Sequence, residues 1–206
     1  MKKLKVAEIF YSLQGEGKWA GVPSVFLRTF GCNFQCRGFG LPKGESTTVP
    51  EDIAEKVDQF KIYEELPLAE TGCDSYASWH PKFKHLSPVL ETGAVNQRME
   101  ELIPEGRWDA DPQQDVHLVI TGGEPLLGWQ RAFPELLEND KMKDLINITF
   151  ETNGTQKIHP EFGEYMKAWS KARGDSYHSD ITFSVSAKLS ASGEKWEDAV
   201  KPEIVA

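Results

Sequence analysis

Ser24-Val25-Phe26-Leu27-Arg28-Thr29-Phe30-Gly31-Cys32-Asn33-Phe34-Gln35-Cys36 decides the architecture, because an apolar run stops at a glycine and hands over two cysteines. With the period of two of a strand, Val25 and Leu27 point one way while Phe26, Arg28 and Phe30 point the other. Apolar residues on both sides describe a strand covered on both faces. Arg28 among aromatics needs a partner, since an unpaired buried charge is costly. That partner is either a structural carboxylate or a planar acidic or amide-bearing ligand gripped by its fork of donors. Gly31 and Cys32 fall just past the strand's end. The third cysteine comes much later, in Gly72-Cys73-Asp74-Ser75-Tyr76. Two readings are open for these residues. They are buried thiols, as free cysteines commonly are, or they hold a cubane iron–sulfur cluster that keeps one iron open for a small molecule.

The same arrangement of strand, then unusual turn, recurs three times. Val116 to Ile120 reads as a buried strand running into Thr121-Gly122-Gly123-Glu124-Pro125. Ile146 to Phe150 ends in Glu151-Thr152-Asn153-Gly154-Thr155, and Ile181 to Val185 ends in Ser186-Ala187-Lys188-Leu189-Ser190. Helices are expected over 94–103, over 126–137, and over 160–173 with Phe162, Tyr165, Met166 and Trp169 on one side. A further helix is expected to start within 194–200. Strands alternating with helices predict a parallel sheet with right-handed crossovers. Cys32, Thr121, Glu151 and Ser186 then lie at or beyond the C-terminal ends of their strands, the edge at which such folds bind ligands. Gly122 and Gly123 leave main-chain groups bare beside the Glu124 carboxylate, a turn that suits a ligand ammonium group. Glu151 suits a ribose diol or only a turn, because Asn-Gly favours positive φ. Lys188 suits a carboxylate or only solvent.

Elsewhere, Val6 to Phe10 reads as a short strand before the loop Ser12-Leu13-Gln14-Gly15-Glu16-Gly17, whose glycines let backbone approach a ligand beside Glu16. Residues 38–72 look like an insertion. It opens as a glycine- and proline-rich loop over 38–44 and continues with Thr48-Val49-Pro50-Glu51, which resembles a capping box. Ile53, Val57, Phe60 and Glu64 then mark one face of a helix ending before Leu66-Pro67. Residues 79–88 are loop-like and carry His80 and His85. A chain of 206 residues suits a single domain with a sizeable core. Its net charge of −9 argues against broad electrostatic binding to nucleic acid or an acidic membrane face. No segment has the apolar core of a signal peptide or the roughly 18 apolar residues of a spanning helix. Three cysteines do not pair off evenly, so a reducing, cytoplasmic setting is expected rather than a disulfide framework.

Cysteines after one strand and Thr-Gly-Gly-Glu-Pro after the next resemble the radical S-adenosylmethionine superfamily. Within it, the segments 10–17, 26–28, 31–33, 73–77, 151–154 and 186–190 resemble the 7-carboxy-7-deazaguanine synthase family, in that order along the chain. The superfamily leaves two residues between its second and third cysteines, which would put the third at Phe39. Here Cys73 carries the matching context, so the insertion splits the cluster loop. Ser75 stands where the family has a magnesium-binding threonine, and Ala187 replaces a usual proline.

The resemblance implies an α/β fold: a partial (βα) barrel of the radical SAM type, abridged, with an insertion in the cluster loop and a truncated C-terminal part. It forms one domain over 1–206. It implies that Cys32, Cys36 and Cys73 hold a [4Fe-4S] cluster and that Ser75 binds Mg2+. Gly122, Gly123, Glu124, Glu151, Ser186 and Lys188 would serve S-adenosyl-L-methionine. Leu13, Gln14, Gly15, Glu16, Gly17, Arg28 and Thr121 would contact a pterin substrate. The implied activity is a lyase converting 6-carboxy-5,6,7,8-tetrahydropterin to 7-carboxy-7-deazaguanine in 7-deazapurine biosynthesis, such as that of queuosine. The implied partners are an electron donor such as flavodoxin or ferredoxin and a second copy in a homodimer, without direct nucleic acid or membrane contact. Three alternatives stand beside it: a glycyl-radical-activating enzyme, a non-catalytic zinc protein using the cysteines with His80 or His85, and a regulatory binding protein.

Overall fold

The structure is a computed structural model that describes residues 1–109, 116–173 and 180–205. In chain order it runs β1 (Lys3–Leu13), β2 (Pro23–Thr29), α1 (Val49–Ala54), β3 (Val89–Glu91), α2 (Thr92–Leu102), β4 (His117–Gly122), α3 (Phe133–Leu137), β5 (Asn147–Thr152), α4 (Pro160–Arg173), β6 (Asp180–Val185), α5 (Trp196–Ala199) and α6 (Pro202–Val205), with short 3-10 turns between them. The strands form one mixed sheet in the order β3-β1-β2-β4-β5-β6. β2, β4, β5 and β6 are mutually parallel.

The expected all-parallel sheet is therefore correct for four strands and wrong for two. β1 is antiparallel to β2 and to the short β3, which the sequence reading missed. The physical reason lies in the connection from Leu13 to Pro23. A parallel crossover needs a dozen or more residues, usually with a helix. Here the Gln14 N–H and the Val22 carbonyl meet at 2.9 Å and close a hairpin.

One face of the sheet carries the main core. Val25, Leu27, Leu118, Ile120, Ile148 and Phe150 pack against Val95 and Met99 of α2, Phe133 and Leu136 of α3, and Phe162, Met166 and Trp169 of α4. The rings of Phe133, Phe150 and Phe162 meet at 5.5–5.7 Å between centroids. α2 and α4 form close to where the periodicity placed them, because each repeats apolar residues at three- and four-residue spacing. α3 does not span 126–137. Pro134 has no N–H for an interior turn and fits only the first turn, so the helix begins at Phe133.

The expected helix through Ile53, Val57, Phe60 and Glu64 also breaks. α1 stops at Ala54 and gives way to separate 3-10 turns at Val57–Gln59 and Tyr63–Glu65. Thr48 occupies the N-cap, but its hydroxyl donates to Asp52 (3.2 Å) rather than capping a backbone N–H, and Glu51 pairs with Arg37. The capping box is therefore absent. What holds this segment is a second, smaller core. Ala54, Tyr76, Ala77, Trp79, Phe83 and Leu86 are buried there, with Ile53, Val57, Phe60 and Tyr63 packed against them.

On the sheet's other face, Phe26 stacks on Phe10 at 4.7 Å, and at the opposite end of the strands lies a buried polar layer. His117 is fully buried, with Nε2 2.9 Å from the Thr149 hydroxyl, Nδ1 3.4 Å from that of Ser24, and the Trp19 ring 5.1 Å away. Burial pulls its pKa down to about 4. The unfolded chain then binds a proton that the native chain does not, so the neutral histidine's contribution is complete above about pH 6.5 and fades as pH falls toward 4. At about 1.4 kcal/mol per pH unit, up to ~3 kcal/mol is at stake. Urea denaturation from pH 7.5 to 4 should show a loss of this order that is absent in His117→Gln; identical pH profiles would refute the assignment.

Candidate active site

Four strand ends and the cysteine loop meet at one cavity of about 250 Å³. Its wall includes Arg28 from β2, Cys32 and Cys36 just beyond it, Thr121, Gly122 and Gly123 from β4, Glu151 from β5, and Ser186 and Lys188 after β6. Glu16, Cys73 and Ser75 complete the set of expected residues that line it. The parallel register explains the convergence: Arg28 lies opposite Thr121, and Glu151 opposite Ser184.

The cysteine loop is pinned from several sides. The Gly31 N–H donates to the Ser78 carbonyl (2.7 Å), and the Gly31 carbonyl accepts from the Glu124 N–H (2.7 Å). Glu194 Oε1 accepts from the N–H groups of Gln35 (2.9 Å) and Cys36 (2.8 Å). That carboxylate helps to hold Cys36 at φ 51°, a left-handed conformation uncommon for a residue with a side chain. Asn153 donates to Asn33 (2.9 Å), and Asn33 to Thr155 (3.0 Å), which ties the loop to the end of β5.

Cys73 returns to this loop because the insertion closes on itself. The Gly72 N–H donates to the Phe39 carbonyl (2.8 Å), and the Thr47 N–H to the Arg37 carbonyl (2.9 Å). The Thr71 hydroxyl reaches that of Thr47 at 2.8 Å. Cys73 therefore arrives beside Phe39, packed with Phe34 and Cys36. Burial chiefly pushes the Cys32 thiol up to about 11 and that of Cys36 to about 12, with Cys73 adding to both. A metal centre must displace these protons, so its assembly is coupled to pH.

Among the described residues, no three His, Cys, Asp or Glu side chains meet closely enough to share a single ion. Cysteines of a cubane cluster bind different irons, so three thiols spread around one cavity fit a cluster better than a zinc, whose ligands all sit about 2.0–2.3 Å from it. Neither histidine of the zinc alternative lines this cavity. His80 Nδ1 accepts from the Lys82 N–H, and His85 lines a different cavity.

Five expected residues do not line the cavity. Glu124 is fully buried, and its carboxylate accepts from the Leu126 N–H (3.0 Å), the Asn153 N–H (2.7 Å) and the Thr152 hydroxyl (2.8 and 2.9 Å). It clamps β4's turn to β5, and burial raises its pKa despite those donors. Leu13 is exposed at the end of β1, paired with Pro23. Gln14 is buried. Its Nε2 donates to Glu151 (2.9 Å), and its Oε1 accepts from the N–H groups of Gly15 (2.7 Å) and Glu16 (3.3 Å). This side chain shapes the loop that carries Glu16 to the cavity, in which Gly17 takes the left-handed conformation (φ 70°) and its carbonyl accepts from the Ala20 N–H (3.3 Å); Gly15 and Gly17 do not line the cavity. Arg28 meets a structural carboxylate, Glu8, through Nε at 3.2 Å, and also lines the cavity.

Phe34, Phe39, Asp74, Trp79, Thr152, Asn153 and Ser184 line the cavity and were not singled out as site residues from the sequence. Ser184 was findable, since it precedes Ser186 by one period of the strand. Nothing local marks Trp79, which the second, smaller core brings there.

No protein-family model matches the chain. The 7-carboxy-7-deazaguanine synthase of Halobacterium salinarum is 34% identical over 154 residues, covering 74% of this chain and 40% of that protein. That of Rhodospirillum rubrum is 57% identical over 154 residues, covering 75% and 43%. Over the residues matched, this chain is similar to members of the 7-carboxy-7-deazaguanine synthase family. It spans about half the length of the curated relatives it matches. The solved structure of QueE from Escherichia coli aligns at TM-score 0.42 and 22% identity, covering 76% of this chain and 56% of that one.

Gly-Gly in the β4 turn has a steric cause in this chain. A Cβ on Gly123 would stand 2.5 Å from the Gly31 carbonyl oxygen and 2.6 Å from Cys32 Cβ, and one on Gly122 would stand 2.5 Å from the Thr29 carbonyl oxygen. Gly123→Ala should therefore displace Cys32, cost about 1–3 kcal/mol, and lower the iron bound on reconstitution. Gly93→Ala, with nothing within 4 Å, serves as the control. Chemical denaturation and iron analysis of both variants check this, and equal behaviour of the two would count against it.

Proposed function

We propose that this chain catalyses the ring contraction of 6-carboxy-5,6,7,8-tetrahydropterin to 7-carboxy-7-deazaguanine, as a carbon–nitrogen lyase on a partial (βα) barrel of the radical S-adenosylmethionine type. The observation that carries this reading is the common cavity. Cys32, Cys36 and Cys73, the last two with 36 residues between them, line it together with Gly122, Gly123, Glu151 and Lys188. When bound, a [4Fe-4S] cluster and S-adenosyl-L-methionine would supply the radical hydrogen-atom abstraction that starts the ring contraction.

The chain's own residues have definable tasks in this reading. The three thiolates would hold the cluster, and the Ser75 hydroxyl would offer Mg2+ a hard oxygen ligand. The bare main chain at Gly122 and Gly123 would receive the amino acid end of S-adenosyl-L-methionine, Lys188 its carboxylate, and Glu151 and Ser186 its ribose. Arg28 would grip the substrate with charge-assisted hydrogen bonds, flanked by Thr121 and Glu16. Phe34, Phe39 and Trp79 form the apolar part of the wall and would keep water from a reactive centre. A small electron carrier such as flavodoxin or ferredoxin would reduce the cluster. The chain would work as a homodimer in the cytoplasm. Among the described residues no helix is long and apolar enough to cross a membrane.

Anaerobic reconstitution should yield a brown protein with about four irons that converts 6-carboxytetrahydropterin to a product one ammonia lighter by mass. Cys73→Ala should lose the iron and the colour. A colourless protein with one zinc, or an intact cluster in the Cys73 variant, would overturn the reading.

A further inference from the structure

Strand β1 contains an extra residue, and the cavity wall shows what it does. Val6 lies opposite Thr29 on β2, yet Glu8 lies opposite Arg28, so the register slips by one at Ala7. Without that bulge Glu8 would face Leu27, a fully buried member of the apolar core. A carboxylate there would be left among aliphatic side chains. With the bulge, Glu8 turns to the other face and its Oε2 accepts from Arg28 Nε at 3.2 Å. Bulges beside functional sites commonly re-aim a side chain in this way.

The pair forms a partition. Arg28 lines the cysteine cavity, whereas Glu8 lines a neighbouring cavity of about 590 Å³ with Tyr63 and Glu64 of the insertion. Each of the two side chains is only 21% exposed. The bond to Glu8 uses Nε, so it does not consume the Nη donors of the guanidinium. An untethered arginine loses side-chain freedom when it grips a ligand, whereas a tethered one has lost it already.

We propose that Glu8 is a positioning residue for ligand recognition: it fixes the guanidinium plane of Arg28 so that the Nη edge offers paired donors to a planar, carboxylate-bearing ligand in the cysteine cavity. This rests on the reading that Arg28 grips the pterin substrate. The sequence makes Glu8 look like one acidic residue in a short strand; only the slipped register makes it a support for the site.

The test is equilibrium binding of 6-carboxypterin, an unreactive oxidised analogue, to the reconstituted full chain, together with KM and kcat. Glu8→Ala should weaken binding and raise KM by roughly ten- to hundredfold, with kcat, iron content and uncoupled cleavage of S-adenosyl-L-methionine little changed. Glu8→Gln, which keeps an acceptor for Nε, should recover most of the loss. In an Arg28→Ala background Glu8→Ala should have no further effect. Binding within twofold of the parent for Glu8→Ala, while Arg28→Ala loses it, overturns the positioning role and leaves the function standing. So does a full, additive loss in the Arg28→Ala background. If Arg28→Ala itself leaves 6-carboxypterin binding intact, the substrate reading of Arg28 and the role of Glu8 fall together.

Discussion

The return of the chain at Gly72 is the constraint on which the site depends. Two cysteines follow directly from a strand; the third is carried away by a long excursion and must come back. The closure is made by main-chain bonds from Gly72 to Phe39 and from Thr47 to Arg37, by the Thr71–Thr47 hydroxyl pair, and by the Arg37–Glu51 ion pair. The entropy of closing such a loop grows only logarithmically with its length, so a long excursion costs little more than a short one. A small core built mostly from residues 76–86, against which Ile53, Val57, Phe60 and Tyr63 pack, holds the excursion, and the Tyr76 hydroxyl donates to the Pro67 carbonyl at 2.7 Å. Closure thus returns Cys73 to the cavity that Cys32 and Cys36 line.

The second requirement is close approach. The ends of β2 and β4 pass near enough that the turn after β4 tolerates no Cβ at Gly122 or Gly123. Glu124 then locks this turn from below, with its carboxylate buried and met by donors from β5. A buried carboxylate without those donors would be strongly destabilising. Such a clamp links the cysteine loop, the β4 turn and the β5 turn into a single rigid rim. The Thr-Gly-Gly-Glu-Pro signature therefore combines bare backbone facing the cavity with a carboxylate facing the interior.

The polar residues of the rim are shared between structure and ligand. Glu151 takes one hydrogen bond from Gln14 and still lines the cavity. Arg28 is tied to Glu8 and still lines it. In both cases a side chain that reaches the cavity is braced from outside it by a neighbour the ligand need never touch. Bracing of this kind pre-organises a site and reduces the freedom lost on binding.

The sequence by itself determined the strand–turn rhythm, the two covered faces of β2, the place of α2, the core face of α4, and the clustering of Cys32, Thr121, Glu151 and Ser186 at strand ends. Those features are periodic or local, and backbone alternation and apolar spacing encode them directly. Only the tertiary structure decided that β1 runs antiparallel, that the helix expected over 126–137 shrinks to Phe133–Leu137, and that Glu124 faces inward. It also decided that Gln14 braces a loop, that Trp79 reaches the cavity, and that the insertion delivers Cys73 beside Phe39. The start of α3 follows from Pro134 within its own segment, whereas the inward Glu124, the Gln14 brace and the return of Cys73 turn on contacts between residues far apart in the chain, whose energy no local pattern contains.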